Sequence, residues 1–283
     1  MIRSQLLTAS QPDKLVGFYK DIFQDVEVLQ SQDFGEQKDN QFRHVRILNH
    51  EFYMMSGGET TDKIPALFYM IVFPLQMKSE LKTLHQKLSE NCRDLSDIED
   101  MWFTEELYMF QDKFGVVWNF WLDEHCDSPA ILPCLVMSDD LIGNFERIKE
   151  YYTNVFSDVE IGTPTYLENG LLDHVSIRIK NHELQVCETH EKNLFSFDVV
   201  ASLNIQCETQ EQIDFYSDKL GDTNFYGGWL KDKVGIVWCV DWPEMLRLLE
   251  EANLAQEEAM FQSIMNKRPI NIKAVKDAFN QYK

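Results

Sequence analysis

The chain contains an internal repeat that ends in a shared turn-and-strand motif. Residues 112–118 read Asp-Lys-Phe-Gly-Val-Val-Trp, and residues 232–238 read Asp-Lys-Val-Gly-Ile-Val-Trp. In each copy a polar turn, whose glycine can take a positive φ, leads into β-branched and aromatic residues typical of a buried strand. Each copy therefore predicts the end of one folding unit.

Three further landmarks extend the repeat toward the N-terminus. Each recurs 132 or 133 residues later in the chain. Phe18-Tyr19 and Phe23 correspond to Tyr151-Tyr152 and Phe156. Asn49-His50-Glu51 corresponds to Asn181-His182-Glu183, and Leu88 corresponds to Leu220. Between the last landmark and the shared turn the offset falls to 120, so the first half carries about a dozen extra residues there. The common order and spacing indicate that the same fold occurs twice in the chain.

Each half predicts two successive β-α-β-β-β units. In the first unit, apolar residues 15, 18, 19, 22 and 23 recur at helical spacing, which places one helix face against a sheet. The β-α-β-β-β order begins again at the apolar strand 66–73. The polar stretch 123–129 then separates the two halves. We therefore predict one domain at 1–125, a second at 130–242, and a helical tail at 243–283 without a counterpart in the first half. The apolar stripes of the tail either pack onto the domains or pair two chains into a homodimer.

The chain is strongly acidic, with 47 Asp and Glu against 26 Lys and Arg and a net charge of −21. Such a surface repels phosphate backbones and anionic lipids, which argues against nucleic acid and membranes as partners. The charge favours a cationic ligand, and the alternative is an acidic surface that serves only solubility.

The sequence also predicts a cytoplasmic protein. Residues 1–5 lack the apolar core of a signal peptide, and the longest apolar run, 64–75, is too short to cross a bilayer as a helix. The six cysteines include no C-x-x-C pair, so we expect reduced thiols rather than disulfides or a structural zinc site.

Four β-α-β-β-β units in tandem, with the Phe-Tyr-x-x-x-Phe helix phrase and the shared turn motif, resemble the PhnB-like branch of the vicinal oxygen chelate superfamily. That superfamily includes glyoxalases, bleomycin-resistance proteins and dioxygenases. The phrases at 228–238 and 265–272 are similar to phrases of this branch. The resemblance implies an α+β fold of tandem glyoxalase-like domains, each of two units forming a curved mixed sheet, or cup, followed by the helical tail. Two domains of the superfamily often pair to complete a cup, so the fusion would imitate a dimer within one chain.

The resemblance also implies a way to test for a metal site. Enzymes of the superfamily hold a divalent metal in the cup, commonly with two His and one Glu. The Glu position, four residues after the turn glycine, selects Asn119 and Cys239, while the strands at 4–9, 66–73 and 130–137 contain no His, Asp or Glu. The strand near 194–205 offers only Asp198. This set is too poor in oxygen and imidazole ligands for a divalent cation, so we predict no metal, no cofactor and no catalytic residue.

Strand alternation predicts what lines each cup instead. If Asn119 faces the cup, as the resemblance implies, the residues two positions away face it too. The predicted ligand-binding residues are Asp198 together with six residues on these two strands, Val117, Asn119, Trp121, Val237, Cys239 and Asp241. Among them Trp121 would supply a flat wall, Asn119 a hydrogen-bonding group, and Asp241 a negative charge. The motif tryptophans Trp118 and Trp238 would then pack in the core.

Other candidate residues have simpler explanations. His50 and His182 occupy equivalent positions and are expected in hairpin turns, and Cys239 is expected to be a packing residue because an apolar strand raises a thiol pKa. The sequence has no glycine-rich phosphate loop, no G-x-S-x-G and no H-E-x-x-H. Some members of the branch carry a ubiquinone-precursor methyltransferase name, but no glycine-rich nucleotide turn supports that activity here.

We therefore predict a non-enzymatic, metal-free protein that binds or sequesters a small organic molecule, similar to the drug-binding members of the superfamily. Two alternatives stay open. One is a metal-dependent lyase, isomerase or dioxygenase whose ligands come from other positions. The other is a scaffold whose cups are filled by its own side chains, such as Trp121.

Overall fold

The computed structural model describes residues 1–58, 63–95, 108–221, 223–224, 227–265 and 269–282. Four successive units contain the strands and the first four helices. Unit 1 comprises β1 (Ile2–Thr8), α1 (Pro12–Ile22), β2 (Val26–Phe34), β3 (Asn40–Ile47) and β4 (His50–Ser56). Unit 2 comprises β5 (Ile64–Pro65), β6 (Leu67–Pro74), α2 (Lys78–Ser89), β7 (Arg93–Asp94), β8 (Tyr108–Gln111) and β9 (Val117–Asp123).

The second half repeats this order and adds the tail. Unit 3 comprises β10 (Ala130–Met137), α3 (Phe145–Val155), β11 (Val159–Ile161), β12 (Thr165–Tyr166), β13 (Leu172–Ile179) and β14 (His182–Glu188). Unit 4 comprises β15 (Phe195–Ser196), β16 (Ala201–Gln206), α4 (Gln210–Leu220), β17 (Thr223–Asn224), β18 (Trp229–Lys231) and β19 (Val237–Asp241). The tail contains α5 (Glu244–Glu251), α6 (Leu254–Met265) and α7 (Ile272–Gln281).

Two large mixed sheets form from these units, and each sheet takes one unit from each half. Sheet 1 has the order β17-β18-β19-β16-β1-β4-β3-β2, so units 1 and 4 share it. Sheet 2 has the order β11-β13-β14-β10-β6-β9-β8-β7, with β12 on β13, so units 2 and 3 share it. The predicted α+β class, with four units in two curved sheets and C-terminal helices, is confirmed. The sheets do not follow the predicted boundaries, because residues 1–125 supply half of each sheet.

Two equivalent asparagines hold the halves together in this crossed arrangement. Asn49 Oδ1 accepts a hydrogen bond from the Ile131 N–H at 2.7 Å, and Asn181 Oδ1 accepts one from the Ile2 N–H at 2.9 Å. Asn181 Nδ2 also donates to the Ile2 carbonyl at 2.9 Å. The hairpin of each half therefore fixes the first strand of the other half. This is the geometry expected of a dimer fused into one chain.

His50 and His182 follow these asparagines and meet between the sheets. The predicted hairpin turns are confirmed, since both residues begin the second strand of their hairpins. Their rings lie 5.5 Å apart, and His50 Nε2 lies 2.8 Å from Ser4 Oγ. Burial lowers the pKa of His50 to about 4 and that of His182 to about 3. Both rings are therefore neutral at pH 7 and act as packing groups.

The repeated Asp-Lys-x-Gly motif is a structural network in both halves. Asp232 Oδ1 accepts from the backbone N–H groups of residues 234, 235 and 236, and its Oδ2 accepts from Tyr152 Oη at 2.9 Å and Trp238 Nε1 at 2.8 Å. In the first half Asp112 binds Tyr19 and Trp118 in the same way. Burial raises the pKa of each carboxyl to about 6, while these hydrogen bonds oppose the shift. The sequence landmarks therefore mark one buried network per half, and the prediction that both tryptophans pack in the core is confirmed.

The tail packs on sheet 1. Gln32 Nε2 donates to the Leu246 carbonyl at 2.9 Å, and the Gly35 N–H donates to Glu257 Oε2 at 2.8 Å. The Phe34 and Phe261 rings lie 5.9 Å apart. Packing of the tail onto the folded units, one of the two predicted roles, is thus confirmed. Within the described ranges, no helix is long and apolar enough to cross a membrane.

Candidate functional site

Each sheet has one face in the shared core and an opposite face that forms a cup. We call the face of sheet 1 lined by Arg3, Gln5, Tyr53, Met55, Asn204, Gln206, Cys239 and Asp241 cup 1. We call the face of sheet 2 lined by Phe68, Met70, Met109, Val117, Asn119, Leu132, Cys134, Val136 and Cys187 cup 2. Alternation along each strand separates these residues from their neighbours, such as Leu6, Trp118 and Trp238, which belong to the shared core.

Cup 1 is lined by polar side chains that bond to one another. Asn204 Nδ2 donates to Gln5 Oε1 at 2.9 Å, which links the two central strands β16 and β1. Arg3 NH1 donates to Gln206 Oε1 at 2.7 Å, and Gln206 Nε2 donates to Tyr53 Oη at 2.7 Å. The Arg3 guanidinium carbon also lies 5.1 Å from the Tyr53 ring centroid. The polar groups of cup 1 thus largely satisfy each other.

A charged cluster lies at one end of cup 1. Glu51 Oε2 lies 2.9 Å from Arg3 Nε and 2.9 Å from His44 Nε2. The hydrogen bond from Arg3 lowers the pKa of Glu51, and burial lowers the pKa of His44. A neutral His44 and an ionised Glu51 follow at neutral pH.

The β19 residues of cup 1 are a carboxyl and a thiol. Asp241 is buried, which raises its pKa, although the Trp242 N–H donates to its Oδ1 at 2.7 Å. Burial also raises the pKa of the Cys239 thiol well above its ordinary value. Cys239 is therefore protonated at neutral pH, which agrees with a packing residue and not with a nucleophile.

Apolar side chains dominate cup 2, and its centre holds one amide. The strand register places Asn119 beside Met70 on β6 and beside Met109 on β8. Asn119 is 1% exposed, and neither its Oδ1 nor its Nδ2 has a hydrogen-bond partner among the residues that the structure describes. Burying an unpaired amide costs about 1–3 kcal/mol, so an interior with no matching polar group is an unfavourable place for it. Among the described residues, Asn119 is the one side chain with two buried polar atoms that both lack a partner, which points to a ligand.

The segment that joins units 3 and 4 covers cup 2. Leu194, Phe195 and Phe197 pack against the apolar cluster, and β15 pairs with β5 at the cup edge. Cys134 Sγ and Cys187 Sγ lie 3.8 Å apart in the cup wall. The hydrogen bond with Cys187 and burial both raise the pKa of Cys134 well above its ordinary value. The Cys134 thiol is therefore neutral and forms part of the wall of cup 2.

The structure divides the predicted residues between the two cups. Val117, Asn119 and Trp121 lie on β9 in sheet 2, where Trp121 is half-buried, whereas Val237, Cys239 and Asp241 lie on β19 in sheet 1. Asp198 lies in the segment between β15 and β16, and its Oδ1 accepts from the Val199 N–H at 2.6 Å. The two strands therefore contribute to different cups, β9 to cup 2 and β19 to cup 1.

Sequence reasoning missed the cup 1 residues Arg3, Gln5, Tyr53 and Asn204. Gln5 and Asn204 are 199 positions apart in the chain, and their strands are neighbours only because the units cross between halves. The only available signal was polar residues in otherwise apolar strands.

The side chains present in the cups do not fit a divalent metal. In the ranges that the structure describes, no three His, Cys, Asp or Glu residues are grouped so that they could hold a metal ion. The centre of cup 1 offers two carboxamides, one thiol and one carboxyl, and the centre of cup 2 offers one carboxamide and two thiols. Divalent cations in this fold need several carboxylate or imidazole ligands at fixed geometry.

Comparisons with known proteins support the fold. Residues 129–241 match the family described as 3-demethylubiquinone-9 3-methyltransferase. The putative dioxygenase from Bacillus subtilis shares 10% identity and a TM-score of 0.52 over 97% of this chain and 94% of that chain. Glyoxalase I from Zea mays shares 10% identity and a TM-score of 0.53 over 84% and 91%. These two similarities extend through both halves and show a common fold.

A third similarity covers less of the chain. The putative 3-demethylubiquinone-9 3-methyltransferase, PhnB protein, from Bacillus cereus shares 18% identity and a TM-score of 0.37 over 43% of this chain and 98% of that chain. No curated protein matches the chain.

Proposed function

The chain belongs to the PhnB-like branch of the vicinal oxygen chelate superfamily, and from this premise we propose that it binds a small organic molecule without a metal. Cup 2 is the site, and Asn119 is its polar anchor. The buried Asn119 amide carries the proposal, because it has no partner among the described residues and offers an NH2 donor group and a carbonyl acceptor inside an apolar enclosure. Binding sites of this kind combine an apolar wall with a few placed polar groups.

The chemistry of the ligand follows from that wall. An amide side chain pairs best with a group that presents an acceptor and a donor side by side, such as a carboxamide. The apolar side chains of Met70, Val117 and Leu132 favour a ligand that has an apolar or aromatic part next to this group. The net charge of −21 favours a neutral or cationic molecule over an anion.

Cup 1 has a different role in this proposal. Its carboxamides bond to each other, and the tail packs on the same sheet. The buried Asp241 would contribute a negative charge there only when it is ionised. We therefore assign the primary ligand site to cup 2.

The same proposal extends to location and assembly. All six cysteines are free thiols, which suits a reducing compartment such as the cytoplasm. Both cups are completed within one chain, so no second copy is needed to build either of them.

Thermal unfolding and binding measurements test the proposal. Benzamide is the organic probe, since it presents a carboxamide on an aromatic body, and Zn²⁺, Mn²⁺, Ni²⁺ and S-adenosylmethionine are titrated in parallel. We expect benzamide to raise the melting temperature and to bind at least about tenfold more weakly to Asn119→Leu than to the native protein. Asn204→Leu, which removes a carboxamide from cup 1, is the matched control and should retain benzamide binding.

Two outcomes contradict this function. One is saturable stabilisation of several kcal/mol by a single metal ion, which would establish the metal-dependent alternative. The other is equal benzamide binding, or no binding, in the native protein and Asn119→Leu. Stabilisation by S-adenosylmethionine would point instead to the methyl transfer that the matched family's description names.

A further inference from the structure

A groove opens between α1 and α2, on the side of sheet 2 opposite cup 2. Its volume is about 620 Å³, which is large enough for a drug-sized molecule. Its apolar lining consists of Ile22, Phe23, Leu48, Phe73, Met77 and Leu84. Phe73 belongs to the shared core face of β6, so the groove is separate from the proposed ligand site.

The second half fills the equivalent space with a tyrosine ring. Tyr216 on α4 stacks on Phe156, with ring centroids 5.5 Å apart and an angle of 28° between the planes. Lys180 Nζ lies 5.0 Å from the Tyr216 centroid. An aromatic ring thus has a defined place between the helices of that half.

The first half has equivalent residues around this space but no aromatic side chain at the position of Tyr216. At the repeat offsets of 133 and 132, Phe23 corresponds to Phe156, and Leu84 corresponds to Tyr216. Leu48 corresponds to Lys180, and the two share a left-handed turn with φ of 51° and 54°. Leucine at position 84 lacks a stacking ring, so the space over Phe23 stays open.

A helix-to-helix link is also confined to the second half. The Tyr151 hydroxyl lies 3.3 Å from the Lys219 carbonyl and 3.2 Å from the Leu220 carbonyl at the end of α4. The residue that corresponds to Tyr151 is Phe18, which has no hydroxyl. The groove therefore lacks this link across its helices.

The charges at the groove select among aromatic molecules. Asp25, Glu80 and Lys87 contribute two carboxylates against one ammonium. Arg46 pairs with Asp25 at 3.3 Å, whereas Glu80 Oε2 accepts a hydrogen bond from Ser79 Oγ at 3.0 Å and makes no ion pair within the residues that the structure describes. Glu80 is thus available to a cation at the groove.

We propose that this groove binds an aromatic amine whose ring takes the place that Tyr216 takes in the other half. The ring stacks on Phe23, against Leu48 and Leu84, and the amine faces Glu80. Stacking of this kind contributes through both apolar burial and ring geometry. The site depends on the difference between the halves and not on the content of either cup.

Tyramine is the test probe, because its phenol ring reproduces the tyrosine side chain and its ammonium tests the Glu80 contact. Methyl NMR on leucine-labelled protein should show binding at one site per chain, with shifts at Leu48 and Leu84. Leu84→Tyr, which installs the ring of the other half, should weaken tyramine binding at least tenfold while leaving benzamide binding unchanged. The triple variant Tyr216→Leu, Lys180→Leu and Gln212→Glu, which also installs the counterpart of Glu80 at the repeat offset of 132, should gain a second tyramine site.

Charge and stoichiometry decide the outcome. We expect 4-hydroxyphenylacetate, the anionic analogue, to bind at least tenfold more weakly than tyramine to the native protein, and Glu80→Gln to reduce that preference. The assignment is overturned if tyramine produces no shifts at Leu84, if Leu84→Tyr binds it as tightly as the native protein, or if the triple variant shows no second site.

Discussion

Cup 1 and cup 2 are built from equivalent strands but have opposite linings. The register pairs Asn204 with Cys239 in sheet 1 and Met70 with Asn119 in sheet 2. Where cup 1 has a carboxamide beside a thiol, cup 2 has a thioether beside a carboxamide. Among the described residues, the two carboxamides of cup 1 share a hydrogen bond, although Asn204 Oδ1 has no partner, whereas neither side-chain amide atom of Asn119 in cup 2 has one. The same frame therefore holds a polar interior that is mostly paired and an apolar interior whose central amide is unpaired.

The largest expected effect concerns the turn network that both cups share. Asp112→Ala and Asp232→Ala should each lower the free energy of unfolding by about 3–5 kcal/mol, because each leaves a buried tyrosine hydroxyl, an indole N–H and backbone N–H groups without an acceptor. Urea unfolding monitored by tryptophan fluorescence measures the loss.

Similar losses in the two variants would show that the cups differ in lining and share their support. The exposed neighbours Lys113 and Lys233 provide controls, and their alanine variants should change stability by less than about 1 kcal/mol. If one aspartate proved dispensable, the two halves would not share this network.

An effect of intermediate size concerns the buried amides, whose replacement should change the free energy of unfolding in opposite directions in the two cups. Asn119→Leu removes an unpaired buried amide and should raise the free energy of unfolding by about 1–3 kcal/mol. Asn204→Leu leaves Gln5 Oε1 without its donor and should lower it by about 1–3 kcal/mol. Denaturant unfolding of the two variants without ligand is the measurement. The same sign in both would remove the contrast between the cups.

The smallest expected effect is a pH dependence specific to cup 1. Burial raises the pKa of the Asp241 carboxyl above its ordinary value near 3.8, so the folded protein holds this proton more tightly than the unfolded chain. Its contribution to stability is complete below pH 3.8 and is lost as the pH rises through the folded pKa. Asp241→Asn should therefore flatten the decline in stability above pH 3.8, by at most about 1.4 kcal/mol per pH unit. Unfolding curves across that range test this.

Trp121 occupies the corresponding position of cup 2, at the repeat offset of 120, and cannot titrate. The variant Trp121→Phe is the matched control and should leave the pH slope unchanged. If Asp241→Asn left the pH dependence of stability unchanged, a group other than Asp241 would be responsible for it.

Parts of the fold and site were predictable from the sequence because they depend on local pattern. Alternation around the repeated turn correctly placed Trp118 and Trp238 in the core. The metal-ligand position implied by the family resemblance selected Asn119, whose burial and lack of a described partner now support the proposed function. The prediction assigned Asn119 and Val237 to different cups, and their strands β9 and β19 belong to different sheets.

Sequence alone determined that this chain carries one fold twice, that each half contains two units, and that an aspartate turn ends each half. These features follow from spacing and from side-chain type, which are properties of the chain in one dimension. Only the tertiary structure decided which units share a sheet, since the Gln5 and Asn204 contact joins residues 199 positions apart. It also decided that Asn119 has no partner within the described part of the chain and that a groove lies beside Leu84, because partners and empty space exist only where distant segments pack.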